Sequence, residues 1–344
     1  MTARTMTALT RMVPGTLILL GLAGSASAED TAGATIGYSV GTVMDQFQAA
    51  DQAGILAQAK AAGFNMLPPV AASFDVGKQT TDFHTLIGRG AKGIIFVASD
   101  SSALAPALEY AKQHNVSTIA VDNTVVKGPV SIIVTGDNTL MGRLACEEMG
   151  ARLKGKGKVL ELQGELSFGA VVERTDGFEG CMKEKFPGIE IIARPTHWDV
   201  AKTADVAQTT LAANSDLAGI YMQSDSVQLA PVLSAVEQAG HKAKVGEDGH
   251  IVLVAIDGSP AALAAIRDKR LDATISQPLT DFAKYSVAYL KRAIAGETFS
   301  PGKTDHNSQI VEFHGNLMDL LPSVKVSAAN VEDPSLWGNQ GPAK

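Results

Sequence analysis

The residues Gly37-Tyr-Ser39-Val-Gly41 fit G-x-S-x-G, the spacing that lifts a nucleophilic serine onto a sharp strand-to-helix turn. Acyl transfer needs more than the pattern: the helix must begin directly after the serine, and an oxyanion cradle must face it. Here Val40-Gly-Thr-Val-Met44 intervenes before any helical periodicity, and no HGGG-type segment occurs. Asp and His residues follow in a permissible order, so a secreted hydrolase using Ser39 stays open as a rival reading. Gly88-Arg-Gly90-Ala-Lys-Gly93 fits G-x-G-x-x-G. A dinucleotide site needs that run after a strand and at the start of a helix. This one closes a helical stretch and precedes "GIIFVAS", so it reads as a helix end with turn glycines. Glu247, Asp248 and His250 share one loop and read as a solvated acidic turn. With no phosphate-loop or metal-ligand spacing, neither a cofactor nor a metal is expected.

A second set of residues is more informative. Asp45 follows the first apolar run, and Asp122 and Asn123 end "STIAVDN". Ser224 and Asp225 follow "GIYMQ", Asp257 follows "VLVAI", and Gln277 ends "ATIS". Each alone is an ordinary turn residue. Together they are polar groups just past strand ends in both halves of the chain. Open parallel sheets bind ligands outside the carboxyl ends of their strands. Short acids and amides there suit a ligand rich in hydroxyls, each of which both donates and accepts.

The elements that must hold these residues alternate regularly. Short apolar runs begin with "TIGYSV" (Thr35 to Val40) and end with "ATISQ" (Ala273 to Gln277), and Ala-rich helical stretches lie between most of them. In Met44 to Gly63, Phe47, Ala50, Gly54 and Ala57 trace a narrow face expected to lie on a sheet. The alternation predicts an α/β fold with parallel sheets covered on both faces. The pattern breaks near residue 130, where "STIAVDN" leads to "SIIVTGD" with no helix between, which places a change of lobe there.

The 344-residue length suits two domains, and a 45% hydrophobic composition supplies a large core. Arg4 and Arg11, the apolar run Val13 to Ala23 and the Ala26-Ser-Ala28 site read as a cleaved export leader over residues 1–28. The apolar run falls short of the roughly 20 residues needed to span a bilayer. "LAGS" resembles a lipoprotein signal with Ser25 where the lipidated cysteine would stand, so the mature chain is expected free in the periplasm. There are 29 Lys and Arg against 36 Asp and Glu, and the leader takes away two of the bases. An acidic chain without a basic block is a poor nucleic-acid partner. Cys146 and Cys181 are either bridged, in an oxidising compartment, or two buried thiols.

Several segments, in order, resemble the ribose/galactose-type periplasmic sugar-binding proteins, the soluble receptors of bacterial ABC importers. They include "IGYSVGTVMDQF", "GDNTLMGRLACEEM", "LQGELSFGAVVERTDGFEGC", "THWDVAKT", "IYMQSD" and "VLVAIDGSPAALAAIRDKRLDATISQ". The resemblance runs from Thr35 to Val311 and implies the type I periplasmic-binding fold: two Rossmann-like α/β lobes with parallel sheets, joined by three crossover strands. It implies a non-catalytic monomer that closes on a monosaccharide or sugar alcohol and docks on an inner-membrane ABC permease. Lobe one is expected over residues 31–136 and 278–308, lobe two over 137–277 and 309–335, and a flexible tail over 336–344, with Trp337 its one candidate for docking. Carried over by position, Asp45, Asp122, Asp257 and Gln277 are polar pocket residues. Phe47 and Trp198 pack on the two faces of the sugar, and Arg174 reaches in from the second lobe. Departures stand at Gln48, Asn123, Ser224 and Ile256, where the ribose-type pattern has an aromatic, an arginine, an amide and an aromatic. They put ribose itself in doubt and leave another pentose, a hexose or a polyol equally open. A chemotaxis or quorum-sensing receptor with the same fold is the second reading. A lactose-repressor-type regulator would need a DNA-binding headpiece where the leader stands.

Overall fold

The computed structural model describes residues 1–2, 31, 33–43 and 45–340. The body of the expected leader, residues 3–28, lies outside the described residues. The chain opens β1 (Thr35–Val40), α1 (Gln46–Ala61), β2 (Asn65–Met66), β3 (Val70–Ala71), α2 (Val76–Gly88), β4 (Gly93–Phe96), α3 (Ala105–Gln113), β5 (Ser117–Val121) and β6 (Ile132–Gly136). It continues with α4 (Asn138–Arg152), β7 (Gly157–Gln163), α5 (Gly169–Lys185), β8 (Ile189–Pro195), α6 (Val200–Ala213), β9 (Leu217–Met222), α7 (Asp225–Gln238), β10 (Val252–Asp257), α8 (Pro260–Arg267) and β11 (Ala273–Ser276). Then follow α9 (Leu279–Ile294), β12 (Gly302–Lys303), β13 (Gln309–Phe313), β14 (Asn316–Leu321), β15 (Val324–Val326) and a short 3₁₀ turn, Trp337–Asn339.

Two sheets result. The first has the order β12-β13-β14-β6-β5-β4-β1-β2, with β3 beside β1; the second runs β15-β11-β10-β9-β7-β8. Pairing is parallel except at β12–β13, β13–β14 and β11–β15. The central strands are near-continuous apolar runs because helices cover both faces. In the first lobe Ile36, Tyr38 and Ile119 pack toward Phe282 and Leu290 of α9, while Phe96 and Ile133 pack with Phe83 and Leu108 on the other face. The chain passes between the sheets three times: between β6 and β7, between β11 and α9, and between β14 and β15. Among the described residues, no helix is long and apolar enough to cross a membrane.

The sequence-based boundaries need correction in two places. Residues 309–335 do not all join the second lobe, because β13 and β14 extend the first sheet and β14 pairs in parallel with β6. Asp319 of β14 explains the choice. It is fully buried, and its acceptors are filled by Tyr289 Oη (2.9 Å), His306 Nε2 (2.8 Å) and Ser308 Oγ, all of the first lobe. A buried carboxylate goes where its donors are. The tail is also not loose from residue 336: Trp337 is buried, and its Nε1 donates to the Asp257 carbonyl at 2.7 Å. Residues 341–344 lie outside the described residues. The buried ridge of α1 is also displaced from the expected one. It runs through Phe47, Asp51, Ile55 and Ala59, and Gly54 faces Ala283 of α9. Asp51 hid this ridge from an apolar count; Tyr38 Oη donates to it at 3.3 Å, and burial drives its carboxyl strongly toward the neutral form.

Ser39 lies inside β1, fully buried, and its hydroxyl accepts from Gln79 Nε2 at 3.2 Å. That is a strand interior and not a nucleophile turn. The G-x-G-x-x-G run closes α2 and leads into β4, with Gly90 at φ 88°.

In the second lobe Cys146 of α4 and Cys181 of α5 form a disulfide, with Cα atoms 6.2 Å apart. The bridge closes a 35-residue separation. Loop-closure entropy assigns such a crosslink about 3–4 kcal/mol. Replacing both cysteines by serine is therefore expected to lower the unfolding free energy measured in urea by about 3–4 kcal/mol, with a correspondingly lower midpoint. A midpoint equal to that of the unaltered chain would remove the crosslink from the stability of this lobe.

Candidate functional site

Asp45, Ser224, Asp257 and Gln277 stand where a strand hands over to a helix, and Asp122 and Asn123 stand where β5 leads on to β6. Asp45 is the N-cap of α1: its Oδ1 accepts the Gln48 backbone N–H at 2.8 Å, which leaves Oδ2 for other donors. Asp122 follows β5 at φ 65°, and Ser224 is the N-cap of α7. Asp257 ends β10 at φ 121°, a region that carries a cost for a residue with a Cβ. Two donors fix its carbonyl, Trp337 Nε1 at 2.7 Å and the Gln277 N–H at 3.0 Å. Three more fix its carboxylate: Gln277 Nε2 (2.9 Å) on Oδ1, and Ser224 Oγ (2.6 Å) and the Ser226 N–H (3.3 Å) on Oδ2.

Arg174 is placed by helix packing. At the α4–α5 contact, a Cβ on Gly142 would stand 2.2 Å from the Arg174 carbonyl oxygen, and one on Gly177 would stand 2.1 Å from that of Thr139. Only glycines let the two helices come this close. The approach brings Arg174 Nε to Asn138 Oδ1 (2.9 Å) and Nη1 to the Gln223 carbonyl (2.7 Å). Both bonds hold the guanidinium while Arg174 lines the cleft. Trp198 sits at φ 57° between β8 and α6, with its ring against Gly164; a Cβ there would stand 1.9 Å from Trp198 Cζ2.

These parts meet. One cleft between the lobes is lined by Asp45, Phe47, Gln48, Asp122, Asn123 and Arg174, and by Trp198, Ser224, Asp257 and Gln277. Ten residues expected from the sequence to bind the ligand face this one space. Asp225 of the strand-end set does not line it. Its carboxylate turns inward to accept from the Gly258 N–H (2.9 Å), the Ser259 N–H (3.1 Å) and Thr274 Oγ1 (2.7 Å), bracing the loop that carries Asp257. Phe74 and Phe168, whose rings meet at 5.9 Å from opposite lobes, and Val227 line the space as well. Sequence reasoning missed them. Phe168 gave one sign, an aromatic at a helix N-cap where no side chain makes the capping bond.

The departures from the ribose-type pattern have visible consequences. Gln48 donates Nε2 to Asp122 Oδ2 at 2.8 Å, and its own Oε1 is buried with no partner among the described residues. Asn123 is fully buried and spends its amide on the Ala98 carbonyl (2.8 Å) and the Ala170 N–H (3.4 Å). The second of these bonds crosses between the lobes. So do Gly169 N–H to Ser101 Oγ (2.8 Å) and Ser101 N–H to the Ser167 carbonyl (3.2 Å). The lips of the cleft are in contact, and the N-terminus of α5 takes its caps from the opposite lobe. At that contact a Cβ on Gly169 would stand 2.0 Å from Thr124 Oγ1.

Electrostatics follow from burial. Burial pushes Asp45 up to about 6, and the nearby Asp257 adds to the rise. Asp122 also stands at about 6, raised by burial and held back by Arg174. Asp257 is raised by burial as well, with Arg174 opposing. One buried guanidinium therefore serves two of the three carboxyls, Asp122 and Asp257, and the space lined by all three offers more acceptors than donors.

Comparison with known proteins agrees with this architecture. A family profile described as "Periplasmic binding protein domain" matches residues 36–298. The ribose import binding protein of Bacillus subtilis is 30% identical over 71% of this chain and 76% of its own length. An ABC transporter solute binding protein from Burkholderia graminis, solved with D-arabinose, superposes with a TM-score of 0.76 at 20% identity, covering 89% of this chain and 99% of that one. One from Bacillus halodurans, solved with myo-inositol, gives a TM-score of 0.75 at 21% identity over 89% of this chain and 99% of that one. The chain belongs to the periplasmic binding protein domain family, as a non-enzymatic sugar-binding protein of the ribose/galactose type with the type I two-lobe fold.

Proposed function

We propose that this chain captures one monosaccharide or sugar alcohol between its lobes, as a periplasmic monomer, and delivers it to an ABC permease. The observation that carries this reading is the convergence of Asp45, Asp122, Arg174 and Asp257 on one cleft flanked by the rings of Phe47 and Trp198. Each polyol hydroxyl donates to a carboxylate and accepts from the guanidinium or an amide. The C–H faces of a ring or chain lie against the aromatics. The ligand touches both lobes, so it binds the closed form better than the open one, and that difference drives closure.

The pocket departs from ribose in a defined way. Gln48 replaces a ring by an amide already tied to Asp122, and Asn123 supplies a lip contact in place of a second arginine. Both changes remove stacking and donor capacity and favour a ligand whose own hydroxyls do more of the donating. Pentoses, hexoses and open or cyclic polyols are the classes to screen. Relatives with ribose, D-arabinose and myo-inositol in their names or structures define the first panel.

A thermal-shift screen over that panel identifies the ligand, because a compound at 100 times its Kd adds about 2.7 kcal/mol to stability. No shift with any carbohydrate or polyol would defeat the reading. With the ligand in hand, Arg174→Ala is expected to raise Kd at least ~10-fold, the loss of charge-assisted hydrogen bonds. Retained affinity in a folded R174A protein removes Arg174 from the contact set.

The pH dependence has two opposite signs. Hydroxyl donors favour ionised carboxylates, so affinity is expected to fall as pH drops below about 6, where Asp45 and Asp122 take up protons. Calorimetric titration at pH 7.5 and pH 5 measures it; equal affinities would show that these two groups do not accept from the ligand as carboxylates. In the free protein the same groups bind protons more tightly folded than unfolded. Glu161 and Glu173, raised by burial to about 7, behave alike. Their stabilisation is complete below their unfolded values and is lost as pH rises through 6 to 7. The ligand-free melting temperature is therefore expected to be higher at pH 5.5 than at pH 8, and the reverse order would contradict this set of burial-raised acids.

A further inference from the structure

The C-terminal segment after β15 returns to the junction of the lobes, beyond the residues 36–298 that carry the family match. Arg267 of α8 secures it: Nε donates to Glu332 Oε1 (2.8 Å), and Nη2 donates to the Val331 carbonyl (3.1 Å) and to Asn339 Oδ1 (2.7 Å). Gly338 lies against the Asp257 loop, where a Cβ would stand 2.4 Å from the Gly258 carbonyl oxygen. The first lobe holds the other end, through Thr280 Oγ1 donating to Gln340 Oε1 at 3.1 Å. Residues 331–340 therefore form a strap fastened to both lobes.

Trp337 is the strap's only aromatic, and it is 8% exposed. It does not line the cleft. It instead touches two residues that do, one from each lobe. Its Nε1 donates to the carbonyl of Asp257, and its ring meets Phe47 edge-on at 5.9 Å and 78°. Asp257 holds φ at 121°, so without outside donors its peptide has cheaper orientations available. A rotated Asp257–Gly258 peptide would re-aim the carboxylate away from Ser224 and Gln277. The Phe47 ring, also edge-on to Phe282 at 6.4 Å, is wedged between Trp337 and the core.

We propose that the strap is part of the binding apparatus, and that Trp337 is a positioning residue that holds Asp257 and Phe47 in their cleft-facing conformations. The proposal rests on the reading of the cleft as a polyol site, and it predicts a local effect with no ligand present.

The test uses the full chain and its W337F and W337A variants. Phenylalanine keeps a ring against Phe47 and loses the N–H; alanine loses both. Without ligand, amide hydrogen exchange over Asp257–Ser259 is expected to quicken about 10-fold in W337F, the equivalent of one lost hydrogen bond. Exchange in β7 and β9 should stay unchanged. Titration then uses D-ribose, D-arabinose, myo-inositol and xylitol as probes. Kd for any that binds the unaltered chain is expected to rise about 10-fold in W337F and further in W337A. Unaltered exchange at the Asp257 loop overturns the proposal. Unaltered affinity in W337F, or a lowered melting temperature with affinity and local exchange both preserved, overturns it too and leaves the strap a stability element. If the unaltered chain binds none of the probes, the exchange measurement alone decides the role of Trp337.

Discussion

The cleft depends on keeping Asp122 and Asp257 buried, and Asp45 half-buried, around one space that the buried cation Arg174 also lines. Removing a carboxylate from water is costly unless hydrogen bonds replace the solvent. The fold supplies those bonds from amides, hydroxyls and backbone N–H groups at strand and helix ends. Gln48 serves Asp122, while Gln277, Ser224 and Ser226 serve Asp257. These donors fill only part of each carboxylate's capacity. What remains faces the cleft and is what a hydroxylated guest can use.

The same constraint accounts for the architecture. A parallel sheet gathers the loops that follow its strands along one edge, and two such edges facing each other give twice the number of addressable positions. Three passages of the chain between the sheets keep those edges opposed. Close helix packing carries the requirement inward, since Gly142 and Gly177 bring α4 and α5 together tightly enough for Asn138 to orient Arg174. The disulfide ties these same two helices.

Much of the site was legible because most of its short polar residues sit next to a local mark, the end of an apolar run. The position of Asp122 after "STIAV" is visible without knowing what it faces. Arg174 and Trp198 carry no such mark: one lies mid-helix and the other in an irregular turn, and only resemblance to a family singled them out. The errors share a cause. Asp319 and Asp51 are buried acids inside apolar elements, so an apolar count shows neither the lobe that β14 joins nor the buried face of α1. Their partners, Tyr289, His306 and Tyr38, are far enough away in sequence that no local pattern announces them. The docking of Trp337 on a carbonyl 80 residues earlier is of the same kind, a contact fixed by tertiary geometry alone.

The rim of the cleft separates two properties that are usually changed together. Where Gly169 meets Thr124 there is no room for even one methyl group, and neither residue is among the polar groups turned toward the guest. On the proposed closure around a ligand, bulk added at that rim works as a doorstop: it penalises the shut form of the empty and the loaded molecule alike and leaves the preference between one sugar and another untouched. Evolution thus has a place to set how tightly the receptor grips, independent of which nutrient it chooses.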